Sequence, residues 1–456
     1  MRRPGKTKPS LAAKIAALVV LAVALPVIFA GCCGPSDVPD DGAKKQVKPA
    51  RNVILLIGDG MGPAQVTLGR LAGPGVHEGL ALQATPYVGL VKTHPANALV
   101  TDSAAAGTAF STGRKTTNGT IGQSPDGADL ENITEWCHKR KKSVGLVTTT
   151  TVTHATPATM AAHCSERKRE NEIAELYLGA DLSVLLGGGV RYFPEAIQKQ
   201  YRDHGYTFVR DRKEMLESQA DRLVGLFSYD HMDYEIDRDR TVQPSLEEMA
   251  LKALQVLDRD EDGFFLMIEG GRIDHACHGH DAATMVRDVM AFDDAVKAAV
   301  AFAEREGNTL VIVTADHATG GLTITEKVNV EKLRAARASA EKLGRMVTED
   351  KKDLATVLRD FEGESPTEDR IRAIEALRQI GDPKYALQNA IAHLRSLDAG
   401  VVFIPIEVQL THLVTKGHDG TDVELYAWGP HAGDFAGVLD NTDIAIRIRR
   451  ALEASK

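Results

Sequence analysis

Five short segments of almost unbroken apolar character, Asn52–Ile57, Ser143–Thr149, Phe264–Ile268, Thr309–Thr314 and Val423–Ala427, recur along the chain between stretches of helical patterning. Strands of this kind have little polar face to turn towards water, so both of their faces must be covered. A parallel sheet wrapped by helices covers them. Helices are expected at Ser245–Leu257, where Ser245 and Glu248 have capping-box spacing, and at Ala282–Glu304. The block from Val330 to about Ser396 is rich in Ala, Glu, Lys and Arg and reads as a helical insertion, a lid or crown rather than another sheet layer. The expected fold class is therefore α/β, with a large central, mostly parallel β-sheet flanked by helices on both faces and carrying that insertion.

The first residues have a different physical character. Arg2, Arg3, Lys6, Lys8 and Lys14 precede an apolar run from Ile15 to Ala30, the pattern of an export segment. The run closes in Phe29-Ala30-Gly31-Cys32, which resembles a bacterial lipobox and makes Cys32 the expected lipidation site. An ordinary secretory signal or an uncleaved span also fits the length of this run. The segment 32–50, with its Pro, Gly, Asp and Lys residues, reads as a flexible tether. Loss of residues 1–31 removes five basic residues, leaving 49 basic against 63 acidic, so the net charge moves from −9 to −14. That balance excludes a basic nucleic-acid module and predicts no nucleic-acid-specific binding. Localisation is expected to be periplasmic, or as a membrane-anchored lipoprotein on the outer side of the cytoplasmic membrane. The three remaining cysteines, Cys137, Cys164 and Cys277, are scattered, so buried thiols with at most one bridge are expected.

Chemistry-bearing residues fall beside the strands. In open α/β sheets the functional crevice lies outside the carboxyl ends of the strands. Asp59 follows the first strand; Glu269, Asp274, His275 and His278 follow Phe264–Ile268; Asp316 and His317 follow Thr309–Thr314; and His418 shortly precedes Val423. Imidazole with carboxylate suits zinc, and carboxylate with hydroxyl and water suits magnesium. Taken singly, each residue is more simply a cap, a turn former or a satisfied core group; their concentration beside strand ends argues for a metal cluster. Asp274 and His278, four apart, share one face if a helix starts there. Ser103, before the small-residue run Ala104-Ala105-Ala106-Gly107, would sit at the positive end of a helix, either as a simple N-cap or as a nucleophile activated by metal.

Six ordered motifs carry a family resemblance: Val53-Ile54-Leu55-Leu56-Ile57-Gly58-Asp59-Gly60-Met61-Gly62, Thr101-Asp102-Ser103-Ala104-Ala105-Ala106, Leu185-Leu186-Gly187-Gly188-Gly189, Ile268-Glu269-Gly270, Val313-Thr314-Ala315-Asp316-His317 and Tyr426-Ala427-Trp428-Gly429-Pro430-His431. Together they resemble alkaline phosphatase, over roughly Arg51 to Thr323 and Lys416 to about Leu439. The resemblance implies a three-layer catalytic domain formed by 51–324 and 411–456, with 325–410 as the insertion. It also implies hydrolysis of phosphate monoesters through a phosphoserine on Ser103, with two zinc ions and one magnesium per chain, and a homodimer. Asp59 then matches a carboxylate shared between magnesium and one zinc, with Thr156 and Glu269 as further magnesium ligands. Asp274, His278 and His418 match the ligands of one zinc, Asp316 and His317 with Asp59 those of the other, and Arg167 the phosphoryl-gripping arginine, with Asp102 beside the nucleophile.

Two positions depart from some bacterial members of that family, which carry Asp and either Lys or Trp where this chain has His154 and His275. A less acidic magnesium shell is implied, with weaker magnesium retention or a third zinc in its place, and faster product release. Two further readings stand beside the phosphomonoesterase. One is a related phosphodiesterase or sulfatase, against which the Ser nucleophile and Arg167 argue. The other is an exported phosphate- or metal-binding protein without turnover, against which the complete ligand set argues.

Overall fold

All six residues of Asn52–Ile57 (β1), Phe264–Glu269 (β7) and Thr309–Thr314 (β8) are buried, as unbroken apolar strands require. The computed structural model describes residues 48–362, 365–380, 383–405 and 417–453. The expected export segment, Cys32 and most of the tether lie outside the described residues.

Around these three strands stand Tyr87–Lys92 (β2), Ser143–Thr151 (β3), Val184–Gly188 (β4), Thr207–Val209 (β5), Leu223–Leu226 (β6), Val423–Trp428 (β13) and Gly437–Asp440 (β14). They form one 10-stranded sheet in the order β14-β2-β13-β8-β1-β7-β3-β4-β6-β5. Every neighbouring pair is parallel except the two that involve β13. The reversal matters for the site. Leu425 pairs with Thr314 and Trp428 with Val311, so β13 begins where β8 ends, and the segment before β13 arrives at the carboxyl ends of the parallel strands. Two groups of helices cover the sheet: Ala282–Glu306 packs with Leu246–Leu257 and Pro63–Ala72, while Ser103–Thr112 packs with Ala155–Ala161 and Thr442–Glu453. The expected capping box is present, with Ser245 and Glu248 each bonded to the other's backbone N–H.

Among the described residues the helical block contains five helices, Val330–Ala335, Ala340–Thr348, Leu354–Glu362, Glu368–Leu377 and Ala386–Asp398. Just beyond β8, Ala318–Thr319 (β9) pairs antiparallel with His418–Asp419 (β12), and at the base of the helical block Thr323–Ile324 (β10) pairs antiparallel with Val401–Val402 (β11). Its first helix and its returning end join the main core through Leu333, Ala336, Ala399, Val401 and Phe403. The helices between them close a second apolar cluster around Leu343, Val357, Leu358, Ile374 and Ile391. Cys137, Cys164 and Cys277 are free and buried.

Candidate active site

The turn after β1 opens with Asp59, which is fully buried and, among the described residues, accepts no hydrogen bond at either carboxyl oxygen. Gly60 follows with φ +68; a Cβ there would stand 2.8 Å from Thr319 Oγ1 and 2.9 Å from Asp274 Oδ1, so only glycine lets this turn approach the other side chains. The Gly60 N–H donates to Asp316 Oδ1 at 3.1 Å, tying the turn after β1 to the turn after β8. Beyond β7 a short helix, Arg272–His278, does start where the spacing required it, and His278 Nε2 lies 3.3 Å from Asp274 Oδ2.

Among the described residues three groups of facing ligand atoms come together: Asp274, His278 and His418; Asp59, Asp316 and His317; and Asp59, His154 and Glu269. Asp59 is common to two of them. The tautomers favour coordination. Thr319 donates to Asp274 Oδ1 at 2.6 Å, so its oxygen can only accept from His317 Nδ1, 3.1 Å away; His317 Nε2 is left with a lone pair facing Asp59, Asp316 and Ser103. In the same way His418 Nδ1 donates to the Thr101 carbonyl at 2.9 Å, leaving Nε2 turned towards His278 Nε2 at 3.1 Å. Burial keeps both rings neutral, pushing His317 down to about 4 and His418 to about 3.

Electrostatics points the same way. Burial, and then the neighbouring carboxylates Asp316, Asp274 and Glu269, hold Asp59 well above the usual carboxylate range. Burial pushes Asp316 up to about 6. It pushes Glu269 to about 7 even against hydrogen bonds from Thr148 and Thr150. Asp274 is the exception: burial opposes its ionisation, but the ion pair and hydrogen bond with His278 outweigh that and hold it well below the usual range. Asp316 Oδ2 and Glu269 Oε1 join the oxygens of Asp59 in accepting no hydrogen bond. Buried carboxylate oxygens without donors, facing imidazole lone pairs, fit divalent cations bound among them.

Ser103 is placed differently from a simple cap. The N-cap of its helix is Asp102, whose Oδ1 accepts from Ala105 N–H at 3.0 Å, and Ser103 is the first helical residue. Its hydroxyl is therefore not spent on capping; Oγ stands 3.3 Å from His317 Nε2. Asp102 Oδ2 accepts from Arg167 Nη1 at 3.0 Å, and Arg167 Nη2 donates to His154 Nε2 at 3.2 Å. Thr156 is buried beside Glu269. His275 lies outside all three ligand groups; its ring packs 5.6 Å from that of His154 and 4.5 Å from that of His231.

Several participants escape the strand-end argument. Thr319 bridges His317 and Asp274, and its only sequence signal is a position two residues after His317. Thr148 and Thr150 both donate to Glu269 Oε2. They belong to the run Thr148–Thr151, whose alternate members share one face of β3. His231, which accepts from Thr151 N–H at 3.0 Å, arrives on a loop with no motif around it.

Among known proteins, residues 50–454 match the family described as alkaline phosphatase. Alkaline phosphatase 3 of Bacillus subtilis (strain 168) is 33% identical over 459 residues, covering 96% of this chain and 97% of that one. The crystal structure of Thermus thermophilus alkaline phosphatase is similar with a TM-score of 0.80 at 29% identity, over 93% of this chain and 96% of that one. Also similar, with a TM-score of 0.67 at 28% identity over 90% of this chain and 100% of that one, is a variant of TAB5 alkaline phosphatase in which a histidine is replaced by glutamate and magnesium is bound in the M3 site.

Proposed function

Since the chain belongs to the alkaline phosphatase family and is a phosphomonoesterase, we propose that it hydrolyses phosphate monoesters through a phosphoserine formed on Ser103. The observation that carries this reading is the position of Ser103 Oγ, free of capping duty and 3.3 Å from a metal-ready imidazole nitrogen. Asp274, His278 and His418 would hold one zinc; Asp59, Asp316 and His317 would hold the second; Asp59, Glu269 and Thr156 would hold magnesium, with His154 beside it. Bound divalent cations supply Lewis acidity, lowering the pKa of a hydroxyl or water and offsetting charge on the phosphoryl oxygens.

The chain's own residues do the rest. Ser103 Oγ attacks phosphorus from the N-terminal end of its helix, where backbone N–H groups favour negative charge. The Oγ–H proton passes to solvent as the Oγ–P bond forms and the ester P–O bond breaks, and the leaving alkoxide takes a proton from solvent to depart as the alcohol. Arg167, oriented by Asp102, grips two non-bridging oxygens and keeps the displacement in line. Water then attacks the phosphoserine from the opposite side, restoring the serine and releasing orthophosphate. His154 in place of a carboxylate makes the third site less acidic, so it retains magnesium weakly or takes a third zinc.

A chromogenic phosphate monoester tests the nucleophile. Ser103→Ala is expected to abolish turnover and the acid-stable phosphoprotein seen on quenching wild type; undiminished hydrolysis overturns the reading. Metal content by mass spectrometry, two zinc with one magnesium or three zinc, tests the third site, and His154→Glu is expected to raise the magnesium fraction. We further propose export with lipid attachment at Cys32, and a homodimer. Detergent partition of Cys32→Ala and light scattering of the mature chain test these.

A further inference from the structure

Arg272 has no part in the steps above, yet it is only 6% exposed on the helix that carries Asp274 and His278. Its Nη1 donates to His275 Nδ1 at 2.8 Å, its Nη2 reaches Glu341 Oε2 at 3.4 Å, and its guanidinium lies 3.6 Å above the Tyr234 ring. A guanidinium can only donate. His275 Nδ1 therefore accepts, which excludes both the imidazolium and the Nδ1–H tautomer and leaves the ring proton on Nε2.

Glu341 comes from the insertion, in the first turn of Ala340–Thr348. The start of that helix is fixed from the catalytic body on two sides: Ser339 N–H donates to Asp237 Oδ1 at 3.1 Å, and Ala340 N–H to Asp281 Oδ2 at 2.9 Å. Glu341 thus meets Arg272 from a held position. The contact links the insertion, through one buried guanidinium, to an imidazole packed against His154, whose Nε2 in turn accepts from Arg167.

We propose that Arg272, held by Glu341 of the helical insertion, is a positioning residue that locks His275 in its Nε2–H tautomer and so presents one fixed N–H donor on the ring packed against His154. The proposal assigns the insertion a part in catalysis through this contact. It rests on the reading that Arg167 grips the phosphoryl group, but its first readout does not depend on turnover.

The test uses the zinc- and magnesium-loaded full chain labelled with 15N-histidine, the His275 resonances being assigned by their loss in His275→Gln. Wild type is expected to show a single His275 tautomer, protonated at Nε2. Glu341→Ala and Arg272→Lys are expected to show mixed tautomers and a fall in kcat/KM of about tenfold. Glu341→Asp is expected to restore both, and the fall is expected to vanish when His275→Gln is already present. Glu341 is 35% exposed at its side chain, so its removal carries the test if Arg272→Lys does not fold. An Nδ1–H tautomer in wild type, an unchanged tautomer in Glu341→Ala, or an activity loss that persists in the His275→Gln background each overturns the proposal. A wrong nucleophile would leave the tautomer result intact, so the two failures are distinguishable.

Discussion

Buried carboxylates at the strand ends and at the junction with the insertion behave in opposite ways. Asp59, Glu269 and Asp316 have oxygens that accept nothing from the described residues, and burial with mutual repulsion drives their pKa values up. Asp281 is as deeply buried, but Arg395, with N–H and O–H donors from Ala340 and Thr284, outweighs burial and keeps its carboxyl below the usual range. One set is incomplete without cations from outside the chain; the other is completed by the chain itself. Residue type does not separate a site carboxylate from a structural one, whereas the donors around it do.

The contrast is sharpest when one charge is removed from each side. Asp59→Asn takes a ligand from two of the three groups, so activity is expected to fall by about a thousandfold or more, with loss of bound metal. The metal-stripped variant is nevertheless expected to melt higher than stripped wild type, because a repelling buried charge has gone. Arg395→Ala should do the reverse. Leaving Asp281 buried and unpaired is expected to cost about 3–5 kcal/mol in denaturant unfolding while metal content at low temperature stays unchanged. Equal destabilisation by both variants would break the comparison.

pH gives the same contrast without mutation. In stripped protein the raised pKa values of Asp316, about 6, and Glu269, about 7, mean that the folded state holds protons that the unfolded chain has released. Their contribution to stability is complete at acidic pH and is lost as pH rises through that window. Divalent cations bound there would displace those protons and remove the penalty of ionisation. Calorimetry across pH 5–8 is expected to show the melting temperature of chelated protein falling relative to loaded protein as pH rises; parallel curves would mean that these carboxylates are satisfied without metal.

Much of the candidate site could be read from sequence because most of the candidate ligands sit within a few residues of a strand whose apolar run is unmistakable. β1, β7 and β8 announce themselves, and Asp59, Glu269 and Asp316 follow. His418 needed more, since only the reversal of β13 brings its segment to the same end of the sheet. Thr319, His231 and Arg272 were not legible as site residues, because their parts depend on hydrogen bonds between segments far apart in sequence. The insertion was legible as helical but not in its attachment. Arg395 meets Asp281, and Glu341 meets Arg272, across distances that no periodicity encodes.

Asp102 belongs to both sides of the comparison, and its expected effect is the smallest. As N-cap it accepts from Ala105 and Gly119 N–H groups, a structural duty completed within the chain; as the partner of Arg167 it serves the site. Burial opposes its ionisation, but Arg167 and the two backbone donors hold its carboxyl below the usual value. Asp102→Ala removes both duties and is expected to cost about 1 kcal/mol of stability through the lost cap. Asn caps as well as Asp does, so Asp102→Asn should keep that stability while weakening the hold on Arg167. Thermal melts beside KM for a monoester separate the two: a KM that moves in Asp102→Asn at constant melting temperature places Asp102 in the site, and a KM that moves only when the melting temperature falls makes it a cap.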